Sequence, residues 1–284
     1  MDNPRDVDAP AAAPTTGGFA RNAETPKKDG EIVLETRGLT KIFGGLNAVL
    51  AFDLRVHRGE ISSLIGPNGA GKTTVFNVVT GIYRPERGQV FFEGRDMTGR
   101  KPHKIVQSGI ARTFQNLRLF SNMTCLENVM AGRHCRTRSG LAAALFRPRS
   151  QREEETQIRE SAEARLRQVG LWEVRDELAR NIPYGRQRML EIARALATTP
   201  RLLVLDEPSS GLNPRETETL MEFIRAIIAE EHLTVLLIEH DMNVVMGISD
   251  WVTVMDGGEK IAEGLPSRIY HDPKVIEAYL GGSS

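Results

Sequence analysis

The chain has 284 residues and equal numbers of basic and acidic side chains, 37 of each, which give no global field to attract nucleic acid. Its longest apolar run, residues 141–146, is far too short to span a bilayer, and no signal-peptide pattern stands near Met1. The two cysteines, Cys125 and Cys135, lack the spacing of a disulfide framework or a metal site, so we expect a soluble protein of the reducing cell interior with no nucleic-acid partner.

The beginning of the chain predicts a tail followed by a sheet. Residues 1–30 are rich in Ala, Pro, Asp and Thr and poor in large apolar side chains, so we expect a disordered N-terminal tail. Residues 31–36 and 48–56 read as strands that open a folded part over 31–284. Phe43, between them, is either a core aromatic or a ring that stacks on adenine.

Residues 66–74, with the sequence GPNGAGKTT, match G-x-x-x-x-G-K-[ST], the loop that wraps nucleotide phosphates. The flanks fit, because residues 60–65 read as a buried strand and residues 73–80 as a helix. A glycine-rich turn between core elements is the alternative, and the Lys-Thr pair with these flanks favours a nucleoside triphosphate site. The predicted ATP-binding residues of this loop are Gly66, Pro67, Asn68, Gly69, Ala70, Gly71, Lys72, Thr73 and Thr74.

Each residue type in this loop has a chemical reason. The three glycines allow close backbone approach and positive φ, so that successive N–H groups point at phosphate beside the positive end of the helix. Lys72 can reach the outer phosphates, and the hydroxyl of Thr73 can bind Mg²⁺.

The middle of the chain changes in character. Residues 88–94 predict an edge strand, so a small antiparallel sheet is expected beside the phosphate loop. Residues 110–115 form a short strand-like run that ends in a polar residue. The stretch from 124 to 180 is mostly helical, with one apolar stripe on a helix, and we predict an inserted helical subdomain over 117–180. The stripe consists of Ile158, Ala162, Leu166 and Val169.

Two apolar runs in the second half end in charged residues. Residues 201–208 read as a central parallel strand that ends in Asp206 and Glu207, at the edge of the sheet where ligands bind in α/β proteins. We predict that Asp206 holds Mg²⁺, directly or through water, and that Glu207 orients and polarises the attacking water. The next run, residues 234–238, leads to His240, which is either a core histidine or a sensor of the γ-phosphate.

The motifs in this order resemble the ATPase subunits of ABC transporters from residue 31 to residue 281. The resemblance implies an α/β fold, with a RecA-like P-loop NTPase core over 31–116 and 181–284, a flanking antiparallel β subdomain and the inserted α-helical subdomain. It implies ATP and Mg²⁺ as cofactors and a catalytic set of Glu207, His240 and Gln115, in which Gln115 also meets the metal. It assigns Phe43 to adenine and a dimer-interface loop to Ser210, Gly211, Leu212 and Asn213.

Finer features narrow the resemblance. The sequences RTFQ at 112–115, RLF at 118–120, IEHDM at 238–242 and EAYLG at 277–281 look like the larger ATPase of branched-chain amino-acid importers. This implies a second ABC ATPase subunit, in a heterodimer or a homodimer, integral-membrane permeases, and a peripheral position on the cytoplasmic face of the inner membrane. The alternatives are amide or urea import, lipopolysaccharide export, a non-transport ABC ATPase, and a nucleotide-binding scaffold that does not hydrolyse ATP.

One motif departs from the family pattern. The signature, usually Leu-Ser-Gly-Gly-Gln, is Ile182, Pro183, Tyr184, Gly185 and Arg186 here, and the resemblance implies that it acts in trans on the nucleotide of the other subunit. Pro183 supplies neither a hydroxyl nor an N–H, although proline suits a helix start. Arg186 either adds a charge near phosphate or points to solvent.

Overall fold

The computed structural model describes residues 30–133 and 149–280. The predicted tail up to residue 29, the apolar run at 141–146, Cys135 and residues 281–284 lie outside the described residues. Within those two ranges, no helix combines the length and the apolar character that crossing a bilayer requires.

The described chain alternates strands and helices. The strands are β1 (Ile32–Phe43), β2 (Leu46–His57), β3 (Ile61–Ile65), β4 (Arg87–Phe92), β5 (Arg95–Asp96), β6 (Ile110–Arg112), β7 (Leu202–Asp206), β8 (Thr234–Ile238), β9 (Trp251–Asp256) and β10 (Glu259–Gly264). The α-helices are α1 (Lys72–Val79), α2 (Pro102–Ser108), α3 (Cys125–Arg133), α4 (Arg149–Gln168), α5 (Tyr184–Leu196), α6 (Pro214–Glu231), α7 (Met242–Ile248), α8 (Pro266–Ile269) and α9 (Pro273–Leu280).

A six-stranded sheet in the order β10-β9-β3-β8-β7-β6 forms the centre of the molecule. Its pairs are parallel except for the antiparallel pair of β10 with β9. All five residues of β3, of β7 and of β8 are buried, as expected for strands covered on both faces. The phosphate loop after β3 and the acids at the end of β7 therefore lie at the same edge of this sheet.

The predicted antiparallel sheet is present, with the order β2-β1-β4-β5. The prediction of an edge strand at 88–94 is wrong, because β4 pairs with β1 on one side and with β5 on the other. β5 has only two residues, which is too short to produce an alternating pattern in the sequence. Strands β1 and β2 have 12 residues each and are longer than predicted, since register shifts interrupt their alternation.

The helical part packs on its own apolar core. The predicted stripe on α4 is confirmed, because Ala162 and Leu166 have no exposed surface and Val169 is buried. These side chains meet Val129 of α3 and Leu190 of α5 in one cluster. Helix α5 also contributes to the core beneath the central sheet, so it connects the helical part to the strands that end in the site.

Candidate nucleotide-binding and catalytic site

The loop between β3 and α1 has the backbone that its glycines permit. Gly66, Gly69 and Gly71 have φ values of 151°, 82° and 102°, as positive as the sequence pattern requires. A Cβ atom at Gly66 would collide with the carbonyl oxygen of Met255, and one at Gly71 with that of Ala48. Gly66 and Gly71 are therefore required because the loop packs closely against the neighbouring main chain.

Lys72 is the buried cation of the loop. Its Nζ donates to the carbonyl oxygens of Gly66 at 2.7 Å and Pro67 at 2.8 Å, and the residue is only 7% exposed. Burial lowers the pKa of Lys72, while the negative charges of Glu207 and Asp206 oppose that change. The ammonium group is thus held by the loop carbonyls, and the two acids favour its charged form.

The residues of the loop fit a nucleotide with Mg²⁺. Asn68, Gly69 and Thr73 are exposed, so backbone N–H groups and the Thr73 hydroxyl are accessible to a ligand. Gln115 is exposed as well. Among the described residues there is no cluster of three or more His, Cys, Asp or Glu side chains that could hold a metal by itself. A hydroxyl and an amide oxygen together with phosphate oxygens are the ligands that Mg²⁺ accepts in nucleotide sites.

The three side chains of the predicted catalytic set lie together. Glu207 follows β7 and has φ +46°, a left-handed conformation that is uncommon for a residue with a side chain. Gln115 Nε2 donates to Glu207 Oε2 at 2.8 Å, and His240 Nδ1 lies 3.6 Å from the same oxygen. His240 is 56% exposed at its side chain, so the interpretation as a core histidine is wrong.

Asp206 has a partner that the sequence reasoning missed. Arg112 Nη2 donates to Asp206 Oδ2 at 2.7 Å, and both side chains are buried. Arg112 Nη1 donates to Asn77 at 2.7 Å and to Thr80 at 3.0 Å, both within or directly after α1. A basic residue at the end of β6 was visible in the sequence, but only the pairing of β6 with β7 places it beside Asp206.

Phe43 lies outside the core. It is 42% exposed, and its ring contacts Tyr83 edge-to-face with 5.2 Å between centroids. The Nζ of Lys41 lies 5.0 Å from the centroid of the Phe43 ring. The interpretation as a core aromatic is therefore wrong, and an aromatic side chain this exposed suits the predicted contact with adenine.

The signature residues stand at the start of α5. Pro183 occupies the N-cap position with φ −55° and ψ 153°, and no side chain caps the helix there. The helix begins at Tyr184, directly after Pro183, and proline suits the start of a helix. Pro183, Tyr184 and Arg186 are exposed.

The predicted interface loop follows Glu207 and contacts the signature. Asn213 caps α6: its side chain accepts from the Glu216 N–H at 3.0 Å, and its own N–H donates to Glu216 Oε2 at 3.0 Å. The Tyr184 hydroxyl donates to the Ser210 carbonyl oxygen at 3.3 Å. Gly211 lies against the ring of Tyr184, and Leu212 packs partly buried on the core below the sheet.

Glu239 is a second carboxylate that the sequence reasoning did not use. It has no exposed surface and accepts hydrogen bonds from Ser209, from the N–H at 3.0 Å and from the hydroxyl at 2.6 Å. Burial raises the pKa of Glu239, and these hydrogen bonds oppose the change. The contact joins the residue before His240 to the segment that leads into the interface loop.

A phosphate loop after one buried strand, two acids at the carboxyl end of a parallel strand in the same sheet, and a helical part between the two in the chain define a P-loop ATPase of the ATP-binding cassette class. Comparisons with known proteins agree. The ABC transporter family model matches residues 49–210, and the model for the branched-chain amino acid ATP-binding cassette transporter matches residues 259–283.

Relatives match over almost their full length. The high-affinity branched-chain amino acid transport ATP-binding protein BraF of Pseudomonas aeruginosa is 47% identical over 88% of this chain and 98% of its own. The high-affinity branched-chain amino acid transport ATP-binding protein LivG of Escherichia coli K12 is 45% identical over 88% of this chain and 98% of its own. A crystal structure of the ADP conformation of an ATP-binding cassette from an ABC transporter has a TM-score of 0.77 and 34% identity, and covers 88% of this chain and 99% of its own.

The chain belongs to the family of ABC transporter ATP-binding proteins, in the group of the branched-chain amino acid transport proteins. It is an ATPase of the RecA-like α/β class, as the sequence predicted.

Proposed function

We propose that this chain is the ATP-hydrolysing motor subunit of an importer for branched-chain amino acids. The observation that carries the proposal is that Gln115 and His240 both approach Oε2 of Glu207, at 2.8 Å and 3.6 Å. The chain that holds this arrangement is similar over 88% of its length to a protein named for branched-chain amino acid transport. An intact set of this kind supports hydrolysis and argues against a scaffold that only binds nucleotide.

The residues divide the chemistry among them. Bound MgATP supplies the phosphoryl group and the positive charge of the metal. The loop N–H groups and Lys72 would bind the phosphates, and the Thr73 hydroxyl with Asp206 and Gln115 would hold the metal. Glu207 would orient the attacking water and take its proton, and His240, whose Nδ1 lies 3.6 Å from Glu207 Oε2, would sense the γ-phosphate.

The surface of the chain supports two kinds of partner. The exposed signature residues at the start of α5 and the interface loop before α6 fit a second ATPase subunit, a different chain or a second copy, each subunit completing the nucleotide site of the other. Phe120 and Met123, in the segment before α3, are 52% and 36% exposed and fit an integral-membrane permease. The subunit then lies peripherally on the cytoplasmic face of the inner membrane.

The test of this function is transport by the assembled complex. The chain is co-expressed with a second ATPase and two permeases from neighbouring reading frames, purified and placed in liposomes with ATP inside. We expect uptake of labelled leucine from a binding protein outside, and none when Glu207→Gln replaces the wild type. Uptake of urea or acetamide with no uptake of leucine would assign the chain to amide transport instead.

The proposed permease surface gives a separate prediction. Single cysteines at Phe120 and Met123, in a chain with Cys135 replaced, should crosslink to the cytoplasmic loops of the permease. Cys125 can stay, because it is fully buried and burial raises the pKa of its thiol to about 11. Glu259, exposed on β10, is the control position. Crosslinks from position 259 with none from positions 120 and 123 would contradict the surface.

A further inference from the structure

A buried ion pair on α5 has no part in the chemistry described above. Arg188 and Glu191 lie one turn apart, with Nη1 and Oε2 separated by 2.9 Å, and their side chains are 0% and 1% exposed. Burial raises the pKa of Glu191, and the positive charge of Arg188 opposes that change. Burying two charges costs more than a hydrophobic pair of the same volume usually does, so their contacts with other groups are informative.

Those contacts are with the main chain of the loop that carries Gln115. Arg188 Nη1 donates to the carbonyl oxygen of Phe114 at 2.8 Å, and its Nη2 donates to that of Gln115 at 2.9 Å. Glu191 Oε1 accepts from the N–H groups of Phe114 and Arg118, both at 3.4 Å. The planar guanidinium spans two successive carbonyls, a geometry that the single ammonium of lysine cannot reproduce.

The same arginine also contacts the signature. Arg188 Nη2 donates to the hydroxyl oxygen of Tyr184 at 3.2 Å, and Tyr184 in turn donates to the carbonyl oxygen of Ser210 at 3.3 Å. At the other end of the path, the Gln115 side chain donates to Glu207 at 2.8 Å. Hydrogen bonds therefore link the start of the signature helix to the main chain of Gln115, and the side chain of Gln115 links that point to the acid that we propose as the base.

We propose that Arg188 and Glu191 are positioning residues, which fix the loop at 114–118 on the signature helix and thereby hold Gln115 against Glu207. A change at the signature, where a second subunit would meet this chain, is then transmitted to Gln115 through main-chain hydrogen bonds. The proposal rests on the role proposed above for Gln115. It assigns a function to Arg188 and Glu191, a buried ion pair that the packing of the core does not by itself require.

The experiment is a double-mutant cycle in the assembled ATPase with Gln115→Ala, Arg188→Gln and both together. Arg188→Gln should lower kcat about tenfold or more, with KM for MgATP changed less than twofold, because the misplaced group acts on the reacting water. In the Gln115→Ala background the same change should lower kcat by less than twofold further, since both act through one side chain. Arg188→Lys should resemble Arg188→Gln, because a lysine lacks the fork that spans the two carbonyls.

A second readout does not depend on turnover. Deuterium uptake in the full-length subunit should become faster at 114–118 in Arg188→Gln and stay unchanged in α3. Arg159→Gln, an exposed arginine on α4, is the matched control and should change neither readout. If Arg188→Gln fails to fold because Glu191 is left unpaired, the neutral pair Arg188→Gln with Glu191→Gln replaces it.

The outcomes separate the claims. Equal losses of kcat from Arg188→Gln in both backgrounds, or unchanged exchange at 114–118, would overturn the positioning role while leaving the ATPase function intact. A Gln115→Ala variant with wild-type kcat would refute the role of Gln115 and the path that leads to it. A wild-type complex that does not hydrolyse ATP would refute the proposed function itself.

Discussion

Replacing Glu207 by glutamine is expected to stop ATP turnover and leave MgATP binding intact. Gln keeps the size of the side chain and can still accept from Gln115 Nε2, which lies 2.8 Å from Oε2 in the wild type. It cannot take a proton from water, and loss of a general base costs about 10²–10⁴-fold in rate. The measurement compares kcat of the assembled ATPase with the Kd of nucleotide for the isolated subunit.

Lys72→Ala is the companion variant, and it should weaken the binding of MgATP, which Glu207→Gln leaves intact. Lys72 acts on phosphates that are present before reaction, so its loss should weaken binding. Each charge-assisted hydrogen bond is worth about 1.5–3 kcal/mol, which corresponds to about a 10- to 100-fold higher Kd. Arg159→Gln serves again as the control away from the site. Normal turnover by Glu207→Gln, or normal nucleotide affinity of Lys72→Ala, would refute the assignment of that residue.

The parallel strands of the central sheet, and the carboxyl ends where a ligand binds, were predictable because a short stretch of sequence specifies each of them. A continuous apolar run that ends in two acids specifies a buried strand and its carboxyl end, and β7 has that form. The phosphate loop is set by residues within nine positions of one another.

The contacts that orient the site were not predictable in this way, because they join residues far apart in sequence. Arg112 meets Asp206 across 94 positions, and Arg188 meets Phe114 across 74. In a sequence, an arginine within an amphipathic helix reads as a solvated side chain, and nothing local shows that Arg188 is fully buried. Strand β5 was missed for another reason, since two residues carry no periodicity.

The departure in the signature leads to the prediction of two unequal nucleotide sites. In a heterodimer, the signature of the partner completes the site that contains Lys72 and Glu207, while Pro183 and its neighbours complete the site of the partner. A serine at position 183 would offer a hydroxyl and an N–H, and Pro183 offers neither. Pro183 is the N-cap residue of α5, and no side-chain hydrogen bond caps the helix at this position.

The expected size of the asymmetry follows from those two donors. One hydrogen bond to a charged phosphate is worth about 1.5–3 kcal/mol, so losing even one that forms mainly in the transition state slows a site about tenfold or more. Arg186 is exposed three positions after Pro183 and can offset part of this loss by its charge. We therefore expect the site of Lys72 and Glu207 to carry most of the turnover.

Two single variants of the assembled transporter measure the asymmetry: Glu207→Gln in this chain and the equivalent change in the partner. The first should remove most of the ATPase rate and the second only a small part, whereas equal losses would contradict unequal sites. Pro183→Ala restores the N–H alone and Pro183→Ser restores the N–H and the hydroxyl, so the pair separates the two donors. Both should raise the rate that remains in Glu207→Gln, with serine above alanine, because that remaining turnover belongs to the site that Pro183 completes. A remaining rate that neither variant changes would mean that the proline at this position has no effect on hydrolysis.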